Sequence, residues 1–178
     1  MHNNLKISII IVLFLCSYSF MFSQEHTRND HAIDHKHRVA LLYGLVHVPE
    51  GYEEGSSGDT GILIASYGLE YSYRLNQKWA LGLSLNMEGG NYLIHDEIPR
   101  ENAFLITGLG FYEIMHHWEF YFGAGVEIEH HHNYGIVRLG TLYLFPVGKG
   151  WDITPAFTFN HKIVYNSWEM AITVGKSF

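Results

Sequence analysis

Apolar and polar residues alternate along most of this chain with a period of two. The clearest run starts at Trp79. Trp79, Leu81, Leu83, Leu85 and Met87 fall on one face, and Ala80, Gly82, Ser84, Asn86 and Glu88 fall on the other. The run from Trp118 repeats this pattern, with Phe120, Phe122, Ala124, Val126 and Ile128 opposite Glu119, Tyr121, Gly123, Gly125, Glu127 and Glu129. The run from Trp151 repeats it again, with Ile153, Pro155, Phe157 and Phe159 against Asp152, Thr154, Ala156, Thr158 and Asn160. Successive side chains of a strand point to opposite faces, so period two predicts strands. Eight are predicted, over 38–48, 62–74, 79–88, 103–113, 118–129, 135–146, 151–160 and 167–178. Each is near the ten residues that a tilted membrane strand needs.

The connections add independent information. Those over 49–61, 89–102, 130–134 and 161–166 are longer, whereas 75–78, 114–117 and 147–150 are tight. Long outer loops alternating with short inner turns are expected of an up-and-down transmembrane barrel. The expected fold is therefore all-β: an eight-stranded antiparallel up-and-down transmembrane β-barrel over 38–178, with both ends of the barrel on the short-turn side.

Alternation alone also suits a soluble barrel with its apolar face inside. Two features favour lipid outside. Trp79, Trp118, Trp151, Tyr73, Phe111, Phe145 and Phe178 are expected at the short-turn rim on the apolar face, forming an interfacial aromatic girdle. The opposite face is small or charged, with Gly68, Ser72, Gly82, Ser84, Gly123, Gly125, Gly140, Ala171, Thr173 and Gly175. Such residues fit a narrow lumen.

Before the barrel, Lys6 and the apolar stretch 7–15 read as a signal peptide over 1–23, with cleavage near Ser23. Residues 24–37 read as a flexible, histidine-rich leader. The one cysteine, Cys16, lies within the signal and follows Leu15. Neither a lipid anchor nor a disulfide is expected in the mature chain.

The layout over about 38–178 resembles the small eight-stranded outer-membrane barrels, such as the transmembrane domain of OmpA and the OmpX-type proteins. The most specific element is the final segment from Trp168 to Phe178, with Ile172 and Val174 on the face of Phe178. It looks like the signal read by the outer-membrane assembly machinery, except that Lys176 stands where an aromatic is more usual. The Phe22-Ser23-Gln24 end of the signal is similar to those of Bacteroidetes-type exported proteins. The resemblance implies an outer-membrane location, reached through the periplasm, and membrane lipid as a partner. It carries no single function, since this fold serves adhesins, enzymes and anchors alike.

The chemistry expected inside the barrel is charged. Glu70, Glu88, Glu119, Glu127, Asp152 and Glu169 are predicted to point inward with Arg138, and Arg38 and Arg74 are further inward candidates. Buried carboxylates require partners, so an internal ion-pair network is the first reading and a narrow cation path the second. Net charge is −7 with neutral histidines, which argues against a nucleic-acid partner.

The 13 histidines are many for 178 residues. His26, His31, His35 and His37 fall in the leader; His130, His131 and His132 fall in the third outer loop beside Glu127 and Glu129. Neutral imidazole with carboxylate binds zinc, copper or nickel, and these are the candidate metal ligands. Solvated polar loop is the competing reading, since no metal-binding spacing is present. No other cofactor is expected. An outer-membrane lipid A-modifying hydrolase would draw on His161 with Ser167 or Ser84, but nothing fixes a third orienting group. The expected role is structural, binding or narrow transport, without catalysis.

Overall fold

The computed structural model describes residues 35–53, 61–94, 98–130 and 132–178. The signal peptide and most of the leader lie outside the described residues.

Ten strands form one closed antiparallel sheet: β1 (His37–Val48), β2 (Gly51–Tyr52), β3 (Ile62–Arg74), β4 (Trp79–Ile94), β5 (Ile98–Met115), β6 (Trp118–Ile128), β7 (Tyr134–Tyr143), β8 (Phe145–Gly148), β9 (Trp151–Lys162) and β10 (Asn166–Ser177). They make eight staves. β7 and β8 form one of them, pairing with β9 in a single register from Ile136 opposite Lys162 down to Pro146 opposite Asp152. β2 is a short addition that pairs with the far end of β4. β10 pairs with both β9 and β1, which closes the barrel; β8, at the turn end, pairs on one side only, with β9.

The register shows the stagger. From Arg38, paired positions run through Ser72, Gly82, Leu109, Gly123, Arg138 and Asn160 to Ser167. Arg38 itself pairs with Ser177, ten residues beyond Ser167. Such a stagger tilts the staves of a closed barrel by roughly 35–45°.

Three tight turns define one end. After β3, the Asn76 side chain accepts hydrogen bonds from the N–H groups of Lys78 and Trp79 at 2.9 and 3.0 Å. After β8, Lys149 and Gly150 both take positive φ, 53° and 75°, the geometry that continues the strands' own twist through a hairpin. The third turn, 116–117, has His117 at φ 68°.

The outside is apolar. Leu41, Tyr43, Leu45, Leu69, Leu83, Phe122, Leu139, Ile153, Phe157 and Ile172 are exposed around the whole circumference. Water would not tolerate so continuous a belt, and hydrocarbon would. Trp79, Trp118, Trp151, Phe145 and Phe178 are exposed at the turn end, and Tyr73 faces outward beside His37. Phe111 corrects the expected girdle. It is buried inside the lumen and packs against Tyr121 at 5.7 Å between ring centroids. The inward row of β5 is Leu105, Thr107, Leu109 and Phe111, so the outward aromatic there is Tyr112, which contacts Trp79 at 4.8 Å.

Glycines inside the lumen make room for bulky neighbours. A Cβ at Gly44 would meet Glu169, one at Gly68 would meet Asn86, one at Gly82 would meet Phe111, and one at Gly140 would lie 2.3 Å from the Tyr121 ring. The narrow interior is therefore filled by alternating large and absent side chains.

The second outer connection departs from expectation. The segment 89–102 is largely strand: a bulge between Glu88 and Asn91 interrupts β4, which then pairs on with β5 from Asn91 opposite Glu101 to Ile94 opposite Ile98. The Gly89-Gly90 pair breaks the alternation at the bulge, with Gly90 at φ 147°, and so hides the strand that resumes beyond it.

Candidate functional site

The loop end of the lumen is filled by side chains among the described residues. Tyr92 and Ile94 on the extended β4 point inward and pack with Val46, Val48, Ile64 and Tyr165 in one buried cluster. Directly associated with it is a charge network. Lys162 donates to Glu88 at 2.9 Å and to the Tyr165 hydroxyl at 2.7 Å, and it also pairs with Glu127. The Tyr165 hydroxyl donates to Glu127 at 3.0 Å. Arg100 pairs with Glu127, donates to Glu129 and to the His132 carbonyl at 3.1 Å each, and lies 4.6 Å from the Tyr134 ring centre. The side chains of Arg100, Glu127, Glu129 and Lys162 are 0% exposed. Each charge depends on the others, because a buried ion without a partner costs several kcal/mol.

The middle of the lumen is polar. Arg138 donates to Asn160 at 2.8 Å and to the Ser84 hydroxyl at 3.4 Å. Glu169 accepts from Ser66, and Tyr121 bonds with Thr158. Toward the turns, Ala80, Leu109, Phe111, Tyr121 and Leu142 form a second apolar plug.

Two arginines dominate the turn end. Arg38 grips Asp152 with two hydrogen bonds, 2.9 and 2.7 Å, and Glu70 with a third at 3.0 Å. Arg74 bridges Glu113 at 3.0 Å and Glu119 at 2.5 Å. A cavity of about 50 Å³ lies among these groups, lined also by His35, Lys36 and Ser72.

Glu70, Glu88, Glu119, Glu127, Arg138, Asp152 and Glu169 are thus all buried within the barrel, spread over three levels. Arg100 and Lys162 complete the network from the segments 89–102 and 161–166, whose sequence predicts loops. Lys162 was reachable, because it continues the inward row of Thr158 and Asn160 by one further step of two.

The histidines are dispersed. His35 and His37 sit at the turn end, where His37 stacks on Phe178 and bonds with the Tyr71 hydroxyl at 2.8 Å. His130 and His132 are exposed at the loop end, and His132 stacks on Tyr134. His31 and His131 lie outside the described residues. Among the described residues, no three His, Cys, Asp or Glu side chains converge as metal ligands. His161 lies on the outer surface and bonds with Asn166, while Ser167 and Ser84 are buried in the lumen. The barrel wall therefore separates the imidazole from both hydroxyls.

No protein-family model matches the chain, and no curated protein matches it. Solved structures do. The attachment invasion locus protein Ail of Yersinia pestis superposes with a TM-score of 0.54 at 12% identity, over 81% of this chain and 99% of Ail. Neisserial surface protein A gives 0.54 at 14% identity, over 80% of this chain and 97% of that one. The outer membrane protein OprG of Pseudomonas aeruginosa gives 0.51 at 11% identity, over 81% and 96%. At such identities the likeness is one of fold. Closed around a polar lumen and belted by apolar side chains, this chain has the fold of the small outer-membrane β-barrels.

Proposed function

We propose that the protein is a sealed barrel that works by binding at its loop end, with neither a conducting path nor a catalytic centre. The observation that carries this reading is the closure of the lumen at the loop end, where the Tyr92–Tyr165 cluster accompanies the fully buried network of Arg100, Glu127 and Lys162. Ions crossing here would have to displace side chains that already satisfy one another. The separation of His161 from Ser167 and Ser84 supports a non-catalytic role.

The chemistry of the loop end bears on the partner. Ail has been solved in complex with the heparin analogue sucrose octasulfate, a polyanion. In this chain the segments 49–61 and 89–102 contain Glu50, Glu53, Glu54, Asp59, Asp96, Glu97 and Glu101, with Arg100 as their only Lys or Arg. Arg100 is buried, while Glu53 and Glu101 are exposed. That surface favours a cationic or neutral partner.

Conductance across planar lipid bilayers tests the sealed lumen. Folded wild-type protein is expected to give no steady current above leak. A stable ohmic conductance would overturn the reading.

The outer-membrane assembly machinery is the proposed partner during biogenesis. Ile172, Val174 and Phe178 project outward along the closing strand, and Phe178 pairs with His37 through both backbone groups. Deleting Phe178 is expected to lower the outer-membrane level severalfold and leave unassembled chain in the periplasm. An unchanged level would remove the final residue from this role.

A further inference from the structure

Charge is distributed unevenly along the barrel axis. Lys36, Lys78 and Lys149 are exposed and Lys176 is half-buried, and all four lie at the turn end. Among the described residues, the Asp and Glu side chains of that end, Glu70, Glu113, Glu119 and Asp152, are held by Arg38 or Arg74. The loop end is the reverse. Among the described residues there, Glu53 and Glu101 are exposed, and the only Lys or Arg side chains, Arg100 and Lys162, are buried.

The turn-end cations also follow a pattern. Each tight turn places a basic residue immediately before, or one glycine before, a tryptophan that opens the next strand: Lys78-Trp79, His117-Trp118 and Lys149-Gly150-Trp151. All three indoles are exposed on the lipid face. Lys176 comes in from the closing strand, lies 5.5 Å from the Trp151 ring centre and bonds to the Lys149 carbonyl. Burial and the neighbouring His116 hold His117 below the ordinary histidine pKa, so the fixed positive charge belongs to the lysines. Indole rings settle at the boundary between hydrocarbon and headgroups. A lysine beside such a ring is therefore held at the depth of the lipid phosphates.

We propose that this rim of turn-borne lysines and tryptophans docks anionic phospholipid headgroups in the leaflet at the turn end. The contact of Lys176 with Trp151, and the placing of Lys78 and Lys149 in the turns that lead into Trp79 and Trp151, select a lipid-borne phosphate: the indoles lie at the depth of the acyl-chain boundary and the ammonium groups at the level of the headgroups. A lysine near a charged lipid surface contributes about 1 kcal/mol, on the order of fivefold enrichment of an anionic lipid over a zwitterionic one.

The chain has 4 tryptophans, and Trp168 is the one outside the turn end. In a Trp168→Phe background all indole emission therefore reports the turn-end rim. This protein is folded into mixed vesicles of phosphatidylcholine and phosphatidylglycerol, with bromine on the chains of one lipid at a time. Quenching is expected to be severalfold stronger from brominated phosphatidylglycerol than from an equal fraction of brominated phosphatidylcholine. The preference should vanish in Lys78→Gln/Lys149→Gln/Lys176→Gln and persist in the corresponding triple arginine variant. Added inorganic phosphate should leave the ratio unchanged; abolition of the preference by phosphate would overturn the selection of lipid. Equal quenching by the two lipids, or a preference that survives the glutamine substitutions, would overturn the proposal. Folding is checked by resistance to SDS before heating. Should the triple variant fail that check, Lys78→Gln and Lys149→Gln tested singly must each weaken the preference. None of these outcomes depends on whether the lumen conducts.

Discussion

Replacing Arg100 by leucine is expected to destabilise the folded barrel by about 3–5 kcal/mol, the usual consequence of removing one partner from a buried ion pair. The reason lies in the charge balance at the loop end. Glu88, Glu127 and Glu129 face two cations, Arg100 and Lys162. Without Arg100, Lys162 alone opposes three carboxylates in a space closed to water by Tyr92, Ile94 and Tyr165. Glu129 would lose its guanidinium partner, while the backbone N–H of His132 donates to it from 3.3 Å. The hydrophobic gain from leucine does not offset this, since the destabilising element is the uncompensated charge left behind. A second substitution separates charge from packing. Arg100→Leu/Glu129→Leu removes one of the stranded carboxylates and should recover part of the loss. Urea unfolding of barrels refolded in lipid vesicles reads both effects. A loss below about 1 kcal/mol for the single variant would mean that the network is not closed to water.

Network partners of this kind are what alternation cannot supply. Parity along a strand assigns a face, and the runs from Trp79, Trp118 and Trp151 display it because one face is strongly apolar while the other is small or charged. Where both faces carry large apolar groups, parity is ambiguous. Phe104, Leu105, Ile106, Leu109 and Phe111 all lie on β5, and an aromatic near a rim reads as girdle whichever way it points. The plug around Leu109, Phe111 and Tyr121 decides the matter in space, by filling the room that Gly82 and Gly140 leave open. The extension of β4 was hidden for another reason. Polar residues and a double glycine suggest a loop, yet Tyr92, Ile94 and Arg100 recover the inward parity beyond the bulge. Local composition does not reveal the partners of Arg100 and Lys162, because long-range pairing brings them together, even where parity alone points Lys162 inward. Lys162 meets Glu88 across 74 positions of sequence. The basic-residue–tryptophan pattern at the turns, by contrast, is plain in the sequence once the turns are known.

Leu83→Arg should cost about 2–4 kcal/mol in a bilayer, the penalty for arginine near the midplane on the lipid face of a barrel. Leu83 is 46% exposed, lies between Tyr71 on β3 and Gly108 on β5, and stands four residues in from the rim tryptophan Trp79. Its outer surroundings are hydrocarbon, and the hydroxyl of the paired Tyr71 already bonds with His37, so a guanidinium there finds no carboxylate to pair with on the lipid face among the described residues. Depth is the discriminating variable. Val147→Arg, in the turn beyond the girdle, should cost no more than about 1 kcal/mol, because penalties fall toward the interface. Ser84→Arg should fail differently. Ser84 is 1% exposed and its hydroxyl lies 3.4 Å from an Arg138 nitrogen, so the new side chain meets a filled lumen and a like charge. Its cost should be similar in detergent micelles and in vesicles, whereas that of Leu83→Arg should grow with bilayer thickness. Unfolding titrations in vesicles of two acyl-chain lengths measure this directly. If Leu83→Arg were silent at both lengths, the apolar belt would not face lipid and the barrel would have to be a soluble one.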